Sequence, residues 1–374
     1  MSGNREQEHL RELADWWLVG SALILMGLGL VMVYSASGVM AERLFADSDH
    51  FFLRQSVYAG MGLAVMWIGA KIPMGFVYRF VYLWLMVVLV LLALTLTPLG
   101  VRAGGASRWL DMGSFSLQPL ELAKIALVLY LGYFLSHKQD KMKTFSVGFV
   151  PPVIITGIIA GMLLLQPDFG GAVFIAALFF TMSMVGGTRL LYLLSSGLLC
   201  LGIGAYMIVS SPYRLKRWLA FLDPFQNAAD SGYQVVQSLY GLGLGGLFGQ
   251  GLGAGKQKLF FLPEGHTDFI VSVLGEELGF AGLSILFVCL GVYMFRGLTI
   301  ALNQDDLQDR FTALGLCLVV VLCALLNLAV VMGAVPPKGL PMPFISYGGS
   351  NLLVACMCTG LLVNIERRGR GAHG

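Results

Sequence analysis

The sequence predicts an all-α protein that crosses a membrane about ten times. Of its 374 residues, 57% are hydrophobic and only 12% are charged, and the mean hydropathy is +0.79. A soluble domain has about 25% charged residues, so this chain lacks the charge that a water-exposed surface requires. A helix needs about 20 apolar residues to cross the hydrocarbon core, and apolar runs of this length exclude the short strands of a membrane barrel. The predicted spans are residues 16–36, 51–70, 76–99, 117–135, 147–165, 170–187, 190–210, 269–295, 311–333 and 343–365.

The polar segments between these spans predict how the chain is oriented. An even number of spans puts the two polar tails, residues 1–15 and residues 366–374, on one side. If that side is the cytoplasm, it holds thirteen of the 24 Lys and Arg residues, whereas the short outer loops hold five. This asymmetry follows the positive-inside rule, so both tails are expected in the cytoplasm. Because residues 1–15 are polar, the first span is expected to be a retained anchor rather than a signal peptide.

Composition and local pattern exclude several other classes of protein. The net charge of +3 is small, and Lys and Arg do not form long runs, so no nucleic-acid partner is expected. The six cysteines all lie in apolar stretches, which excludes a disulfide framework and a CxxC metal pair. Gly241, Gly243 and Gly246 match GxGxxG, but no buried strand precedes them, so no nucleotide site is predicted.

Residues 211–268 form the one long connection, between predicted spans 7 and 8. Long connections in compact proteins are usually functional or disordered, and the many aromatic residues here are atypical of disorder. We expect a partly helical extracytoplasmic loop that caps the outer surface. Because no internal repeat is evident, residues 1–374 are interpreted as a single membrane domain.

The strongest local signal is LPEGHTDF, residues 262–269, at the mouth of the eighth span. It places Glu264, His266 and Asp268 at the membrane interface, where carboxylates are costly unless they are hydrated, paired or bound to a cation. The alternative is structural, because Thr267 or Asp268 could cap the following helix.

Further ionisable residues lie inside or beside other spans. Glu276 and Glu277 follow two turns into the eighth span, where they line a site or pair with a neighbour such as Lys124 or Asn327. The spacing of Glu121 and Lys124 in QPLELAK lets them pair on one helix face, with lining of a polar cavity as the alternative.

Three outer loops add polar candidates. GASRWLDMG supplies Arg108, Trp109 and Asp111, and QPDFG supplies Asp168, which is either a site residue or a helix-capping residue. The segment 336–353, PPKGLPMPFISYGGSNLL, contains Ser346 and a single charge, Lys338, suited to an anionic head group. Taken alone, these residues fit either a transporter or an enzyme that acts on a lipid-borne substrate. Because they cluster at the outer mouth rather than at the midplane, where transporter sites usually lie, they favour the enzyme.

The combined motifs resemble those of the SEDS family (shape, elongation, division and sporulation). The resemblance covers residues 14–368 and is closer to the division member than to the elongation member. The motifs that carry it are GASRWLD, QPLELAK, QPDFG, LPEGHTDF followed by GEELG, and PFISYGGSN.

This resemblance implies a peptidoglycan glycosyltransferase that polymerises lipid II, with undecaprenyl pyrophosphate as the leaving group. It makes Asp268 the catalytic base, alone or with a divalent cation (Mg²⁺ or Mn²⁺), and implies no nucleotide cofactor. The lipid pyrophosphate needs positive charge nearby. The expected substrate-binding residues are Arg214, Arg217, Lys256, Lys258, Glu264, His266, Lys338 and Ser346.

The resemblance also implies partners and a location. The expected partners are a class B penicillin-binding protein transpeptidase of the FtsI type and other division proteins. The expected location is the bacterial inner membrane at the division septum. The alternatives are a lipid II flippase, an elongation polymerase and a scaffold that activates a partner.

Overall fold

The computed structural model describes residues 2–103, 106–113, 115–230 and 232–371. Residues 104, 105, 114, 231 and 372–374, which fall in predicted loops and the C-terminal tail, lie outside the described residues. The chain is a helical bundle with one small sheet. Its α-helices are α1 Ser2–Phe45, α2 His50–Lys71, α3 Met74–Arg79, α4 Val81–Thr95, α5 Pro119–His137, α6 Val150–Leu165, α7 Phe169–Val185, α8 Leu190–Val209, α9 Pro212–Leu222, α10 Tyr233–Leu244, α11 Ile270–Leu302, α12 Leu307–Val331 and α13 Gly349–Gly371.

The predicted polytopic helical fold is confirmed. Within the described ranges, eight helices are long and apolar enough to cross a membrane. Two shorter apolar helices, Val81–Thr95 and Phe169–Val185, occupy the positions of predicted spans 3 and 6. The count of ten therefore stays a prediction. The backbone of the predicted N-terminal tail is helical from Ser2, continuous with the first span.

The helices of the bundle differ in how much of their surface packs against other parts of the protein. In the spanning windows of α5 and α13, 78% and 72% of the residues are buried inside the protein, against 6% for α8. An all-apolar helix that packs against so little protein exposes its side chains to lipid. The centre of the bundle therefore lies around α5, α12 and α13, with α8 at its edge.

A three-stranded antiparallel sheet lies between α4 and α5 and was not predicted. Its strands are β1 Gly100–Ala103, β2 Ala106–Asp111 and β3 Ser116–Leu117, in the order β1-β2-β3. Leu110 faces Gly100 on one side and Leu117 on the other. The strands are too short to show a recognisable alternation of apolar and polar residues. The segment predicted to be an outer loop therefore contains strand β2, which carries Arg108.

The long loop folds back onto a break in α11, which explains its glycine content. Gly279 has φ of +64° and interrupts the helix, and a Cβ there would lie 2.3 Å from the nitrogen of Gly249. The loop satisfies the freed backbone groups, since Gln250 N donates to Glu276 O at 2.9 Å and Phe280 N donates to Gly246 O at 2.9 Å. The loop contains α9, α10 and a π-helical turn, Gln257–Phe261, so it is partly helical as predicted.

Candidate active site

The segment that carries Asp268 is held by the segment that precedes α13. Ser346 Oγ donates to the carbonyl of Thr267 at 2.6 Å and accepts from the Met342 amide at 2.7 Å. Tyr347 N donates to His266 O at 3.0 Å. The hydroxyl of Ser346, which was predicted to bind substrate, is thus hydrogen-bonded to the two backbone segments that form the site.

The Asp268 carboxylate lies against a glycine and near an arginine. A Cβ at Gly339 would lie 3.1 Å from Asp268 Oδ2 and 3.7 Å from Arg108 Nη1. The guanidinium of Arg108 also donates to Pro167 O at 3.0 Å and lies 3.7 Å from Asp168 Oδ1. The sheet, the α6–α7 turn and the start of α11 therefore meet at one point.

Lys338 is the second cation at this point. It precedes Gly339, and its ammonium lies 5.6 Å from the centre of the Phe169 ring. A Cβ at Gly170 would lie 3.4 Å from Lys338 Cβ, so Lys338 packs along the start of α7. Burial lowers the pKa of Lys338. A poorly hydrated ammonium group is stabilised by an anionic partner, so the charged form of Lys338 would be favoured by a bound anion.

The surroundings of Asp268 make its carboxylate a base for neutral pH. Burial, followed by the nearby Glu264 carboxylate, raises its pKa from 3.8 to about 7, while the Arg108 guanidinium opposes this shift and Asp168 adds to it. A general base works best when its pKa lies near the working pH. Asp268, Glu264, Arg108, Asp168 and Lys338 are hereafter called the Asp268 cluster; Lys338 belongs to it through Gly339, which contacts the Asp268 carboxylate.

The two other polar residues of LPEGHTDF differ in what they contact. His266 is buried between the rings of Phe51 and Tyr347, with centroid distances of 5.1 Å and 5.9 Å, and burial lowers its pKa. It therefore packs as a neutral aromatic residue and holds the segment. Glu264 has a left-handed φ of +59° and accepts a hydrogen bond from Thr267 Oγ1 at 2.7 Å.

The structural alternative for this motif is wrong. The N-cap of α11 is Phe269, and it makes no side-chain capping bond. Thr267 uses its hydroxyl on Glu264 instead, and Asp268 faces the cluster. Asp168, by contrast, does cap a helix, because its Oδ1 accepts from Gly171 N at 3.0 Å. It combines that predicted capping role with the contact to Arg108.

Glu276, Glu277 and Lys258 form a separate network that anchors the loop. Glu277 accepts from Lys258 Nζ at 2.7 Å and from Ser35 Oγ at 2.6 Å, and Glu276 accepts from the backbone nitrogen of Lys256 at 2.8 Å. Lys124 and Asn327 are therefore not the partners of these carboxylates. With about 1.5 Å of rise per residue, Glu277 lies roughly 13 Å along α11 from Asp268.

Glu121 and Lys124 pair with each other, as their spacing predicts. The two charged atoms lie 2.6 Å apart and both side chains are 1% exposed. Lys124 also lies 4.8 Å from the centre of the Phe174 ring. The pair is enclosed by the bundle core.

The other predicted polar residues are engaged away from Asp268. Arg214 Nη1 donates to Met207 O at 3.2 Å, which closes the end of α8. Asp111 accepts from Gly113 N at 2.8 Å, and Trp109 pairs with Val101 in the sheet. Arg217 and Lys256 are exposed on α9 and on the glycine-rich loop.

The described residues contain no group of three or more His, Cys, Asp or Glu side chains that could hold a metal ion. Mg²⁺ is commonly held by one or two carboxylates together with substrate phosphates. The Glu264 carboxylate is close enough to raise the pKa of Asp268, so these two residues fit this partial type of site, which substrate would complete.

An open apolar groove of about 530 Å³ runs along the surface of α8. Its lining residues are Ser195, Leu198, Leu199, Gly202, Ile203 and Tyr206. A Cβ at Gly204 would lie 3.8 Å from the Phe169 ring, the same ring that Lys338 covers. At Gly204, α8 therefore lies beside Phe169, the ring next to Lys338.

Sequence analysis did not identify Gly339 and Phe169, and it assigned Asn327 to the wrong partners. Phe169 occurs within QPDFG and Gly339 follows Lys338 directly, so both lie in motifs that were recognised for their charges. Their roles depend on how separate segments meet, which no local pattern shows.

Comparisons with known proteins agree with this structure. The family model of FtsW, RodA and SpoVE, described as cell cycle protein, matches residues 15–371. A probable peptidoglycan glycosyltransferase FtsW from Trichlorobacter lovleyi is 45% identical over 95% of this chain and 94% of its own length. Stage V sporulation protein E from Bacillus subtilis is 38% identical over 95% of this chain and 98% of its own.

Solved structures show the same fold. A chain from a structure of a peptidoglycan synthase complex has a TM-score of 0.79 and 29% identity, over 94% of this chain and 97% of that one. The rod shape determining protein RodA of Thermus thermophilus has a TM-score of 0.70 and 29% identity, over 95% and 97% of the two chains. The chain belongs to the FtsW, RodA and SpoVE family, as its SEDS motifs predicted.

Proposed function

We propose that this chain is a peptidoglycan glycosyltransferase that polymerises lipid II for septal wall synthesis, with Asp268 as the general base. The observation that carries the proposal is a carboxylate of near-neutral pKa with Arg108 beside it and with Gly339, from the turn that carries Lys338, packed against it. The relatives named as probable peptidoglycan glycosyltransferases, at 42–45% identity, support this activity. Four separate segments, which carry Arg108, Asp168, Asp268 and Gly339, meet at this cluster.

The reaction requires a base for the acceptor hydroxyl and stabilisation of the negative charge on the departing lipid pyrophosphate. The 4-hydroxyl of the acceptor sugar attacks the anomeric carbon of the donor, and the new C–O bond forms as the bond to the lipid pyrophosphate breaks. Asp268 takes the hydroxyl proton, and the pyrophosphate leaves with the bonding electrons. A sugar hydroxyl is a weak nucleophile, and a positioned base accelerates such a step by about 10²–10⁴-fold.

Lys338 and Arg108 are placed to stabilise the pyrophosphate as it departs. Positive groups aimed at developing charge act strongly where water is excluded, and the partial burial of Lys338 provides such an environment. Arg108 can offer phosphate two parallel hydrogen bonds. Arg214, Arg217 and Lys256 are assigned to substrate recruitment at the rim. Lys258 is committed to Glu277, so we assign it to holding the loop.

A divalent cation fits the same arrangement. Mg²⁺ or Mn²⁺ would be held by Asp268 and Glu264 together with the pyrophosphate, and it would supply charge neutralisation to the leaving group. Glu264 is fixed for this by its hydrogen bond from Thr267. The polyprenyl tail would lie in the open apolar groove along α8. The same helix contacts Phe169, the ring beside the Lys338 ammonium.

The membrane setting and the partner follow from the same proposal. The Asp268 cluster would face the outside of the inner membrane, with both termini in the cytoplasm, at the division septum. A class B penicillin-binding protein transpeptidase would cross-link the glycan product. The chain's likeness to a component of a peptidoglycan synthase complex supports such a partner.

A lipid II flippase is the alternative, and it needs a polar route through the bundle. Glu121 and Lys124 neutralise each other in a closed core, which disfavours that route. The test uses the purified chain with its transpeptidase in vesicles that carry lipid II on the side of the Asp268 cluster only. Polymer under these conditions, with a slower rate after chelation of divalent cations, supports the proposal. Translocation of lipid II without polymer would replace it with the flippase.

A further inference from the structure

Asn327, near the end of α12, makes two hydrogen bonds from one side-chain amide. It is 1% exposed and lies in the apolar C-terminal half of this helix. Its Nδ2 donates to the carbonyl oxygens of Asp268 and Leu340, each at 2.8 Å. Carbonyl oxygens only accept hydrogen bonds, so the two partners fix which way the amide faces.

The amide is retained at this position despite an unsatisfied acceptor. Asn327 Oδ1 is buried and has no hydrogen-bond partner within the described part of the chain. A buried acceptor without a partner is destabilising, and an apolar side chain of similar size would avoid that cost. The value of Asn327 therefore lies in the two bonds that its nitrogen makes.

These bonds join the two segments that bring charge to the Asp268 cluster. Leu340 lies two residues after Lys338, and its nitrogen donates to the Lys338 carbonyl at 2.9 Å, so the turn that carries Lys338 is fixed at Leu340. Gly339, in the middle of this turn, lies against the Asp268 carboxylate. One amide thus holds the backbone of the base and the backbone beside the cation.

We propose that Asn327 is a positioning residue that fixes the Asp268 backbone against the turn that carries Lys338, a role that rests on the proposed function of Asp268 as base. Asn327 acts through the backbone and is not assigned a contact with substrate. The charged groups that face Asp268 are Glu264, Arg108 and Asp168. Loosening the clamp lets the Asp268 segment and the turn at residues 338–340 move relative to each other.

The chain contains a matched control for this clamp. Asn364 in α13 donates from its Nδ2 to the carbonyls of Gly69 and Ile72, at 2.8 Å and 2.6 Å. It is the same residue making the same pair of bonds, but it joins α13 to the end of α2 rather than to the Asp268 segment. Asn364→Leu therefore removes an equivalent clamp from another part of the bundle.

The experiment compares Asn327→Leu with Asn364→Leu by lipid II polymerisation, using full-length chains purified with the transpeptidase. A misplacement of about 1 Å can lower a rate 10²-fold, so we expect Asn327→Leu to lower kcat about 10–100-fold with KM within about twofold. Asn364→Leu should retain the wild-type kcat and the wild-type KM per folded molecule.

Equal losses of kcat in the two variants, or a loss in Asn327→Leu that lies in KM rather than in kcat, would overturn the positioning role. If Asn327→Leu does not fold, Asn327→Ser, which fits the space but cannot reach both carbonyls, is measured against Asn364→Ser under the same criteria. Asp268→Asn is run in parallel. Retained activity in Asp268→Asn refutes the base itself, whereas its loss together with unaffected Asn327 variants refutes only the clamp.

Discussion

Gly339 lies so close to Asp268 that a methyl group in its place would be 3.1 Å from the carboxylate oxygen Oδ2. That distance is shorter than ordinary van der Waals contact, so any side chain at position 339 displaces the base or the turn that carries Lys338. The motif PPKGLP therefore puts Lys338 directly before the glycine that the Asp268 carboxylate contacts.

Gly339→Ala is predicted to lower polymerisation while leaving the fold intact. The added methyl group shifts Asp268 by a few tenths of an ångström, and we expect a loss of about tenfold in kcat, with a larger loss for Gly339→Val. Initial rates of lipid II consumption measure the effect. Gly157→Ala in α6, where a Cβ would meet nothing within 4 Å, is the control, and an equal loss there would remove the argument.

The pH dependence of the rate is predicted to rise with pH through about 7. Only the ionised carboxylate can accept a proton, and burial together with Glu264 raises the pKa of Asp268 to about 7. At pH 6 about one tenth of the molecules would carry the active form. Rates measured between pH 5 and pH 9 test this, and a rate already constant from pH 5 upward would exclude Asp268 as the titrating base.

Two substitutions should move that profile in opposite directions. Glu264→Gln removes a negative charge that raises the Asp268 pKa, so the rise should move to lower pH. Arg108→Gln removes a positive charge that lowers the Asp268 pKa, so the rise should move to higher pH. Both are read from the same pH series. Shifts of the same sign in the two variants would contradict the electrostatic origin of the tuning.

Lys338 is predicted to act on the leaving group rather than on folding. Lys338→Met keeps the apolar stem that packs beside Phe169 and removes the charge, so we expect kcat to fall about 10²–10³-fold with little change in thermal stability. Single-turnover rates with lipid II provide the measurement. Wild-type turnover in Lys338→Met would assign the pyrophosphate to other residues.

Lys258 is predicted to stabilise the loop instead. Its pair with Glu277 is buried, with side-chain exposures of 7% and 0%, and removing one partner of a buried pair costs about 3–5 kcal/mol. Lys258→Met should therefore lower the thermal midpoint, and Glu277→Gln added to it should recover part of that loss. If Lys258→Met instead weakened lipid II use at unchanged thermal stability, Lys258 would be assigned to substrate binding, as the sequence analysis expected.

The sequence predicted the helical fold and the Glu121–Lys124 pair because each depends on hydropathy or on spacing within one segment. It did not predict the sheet at residues 100–117, whose strands are too short for periodicity. It also grouped Lys258 with Lys338 as cations for pyrophosphate. Only contacts between distant segments distinguish the two lysines: Lys258 pairs with Glu277, and Lys338 packs beside Phe169. Local patterns carry no information about such contacts.

Polymerisation of lipid II by the Asp268→Asn variant tests the central claim most directly. The variant keeps the size of the side chain and removes its ability to accept a proton, so the account predicts a loss of at least about 10²-fold in a chain that still folds and binds its transpeptidase. Glycan strands formed at the wild-type rate by this variant would contradict the assignment of Asp268 as the base.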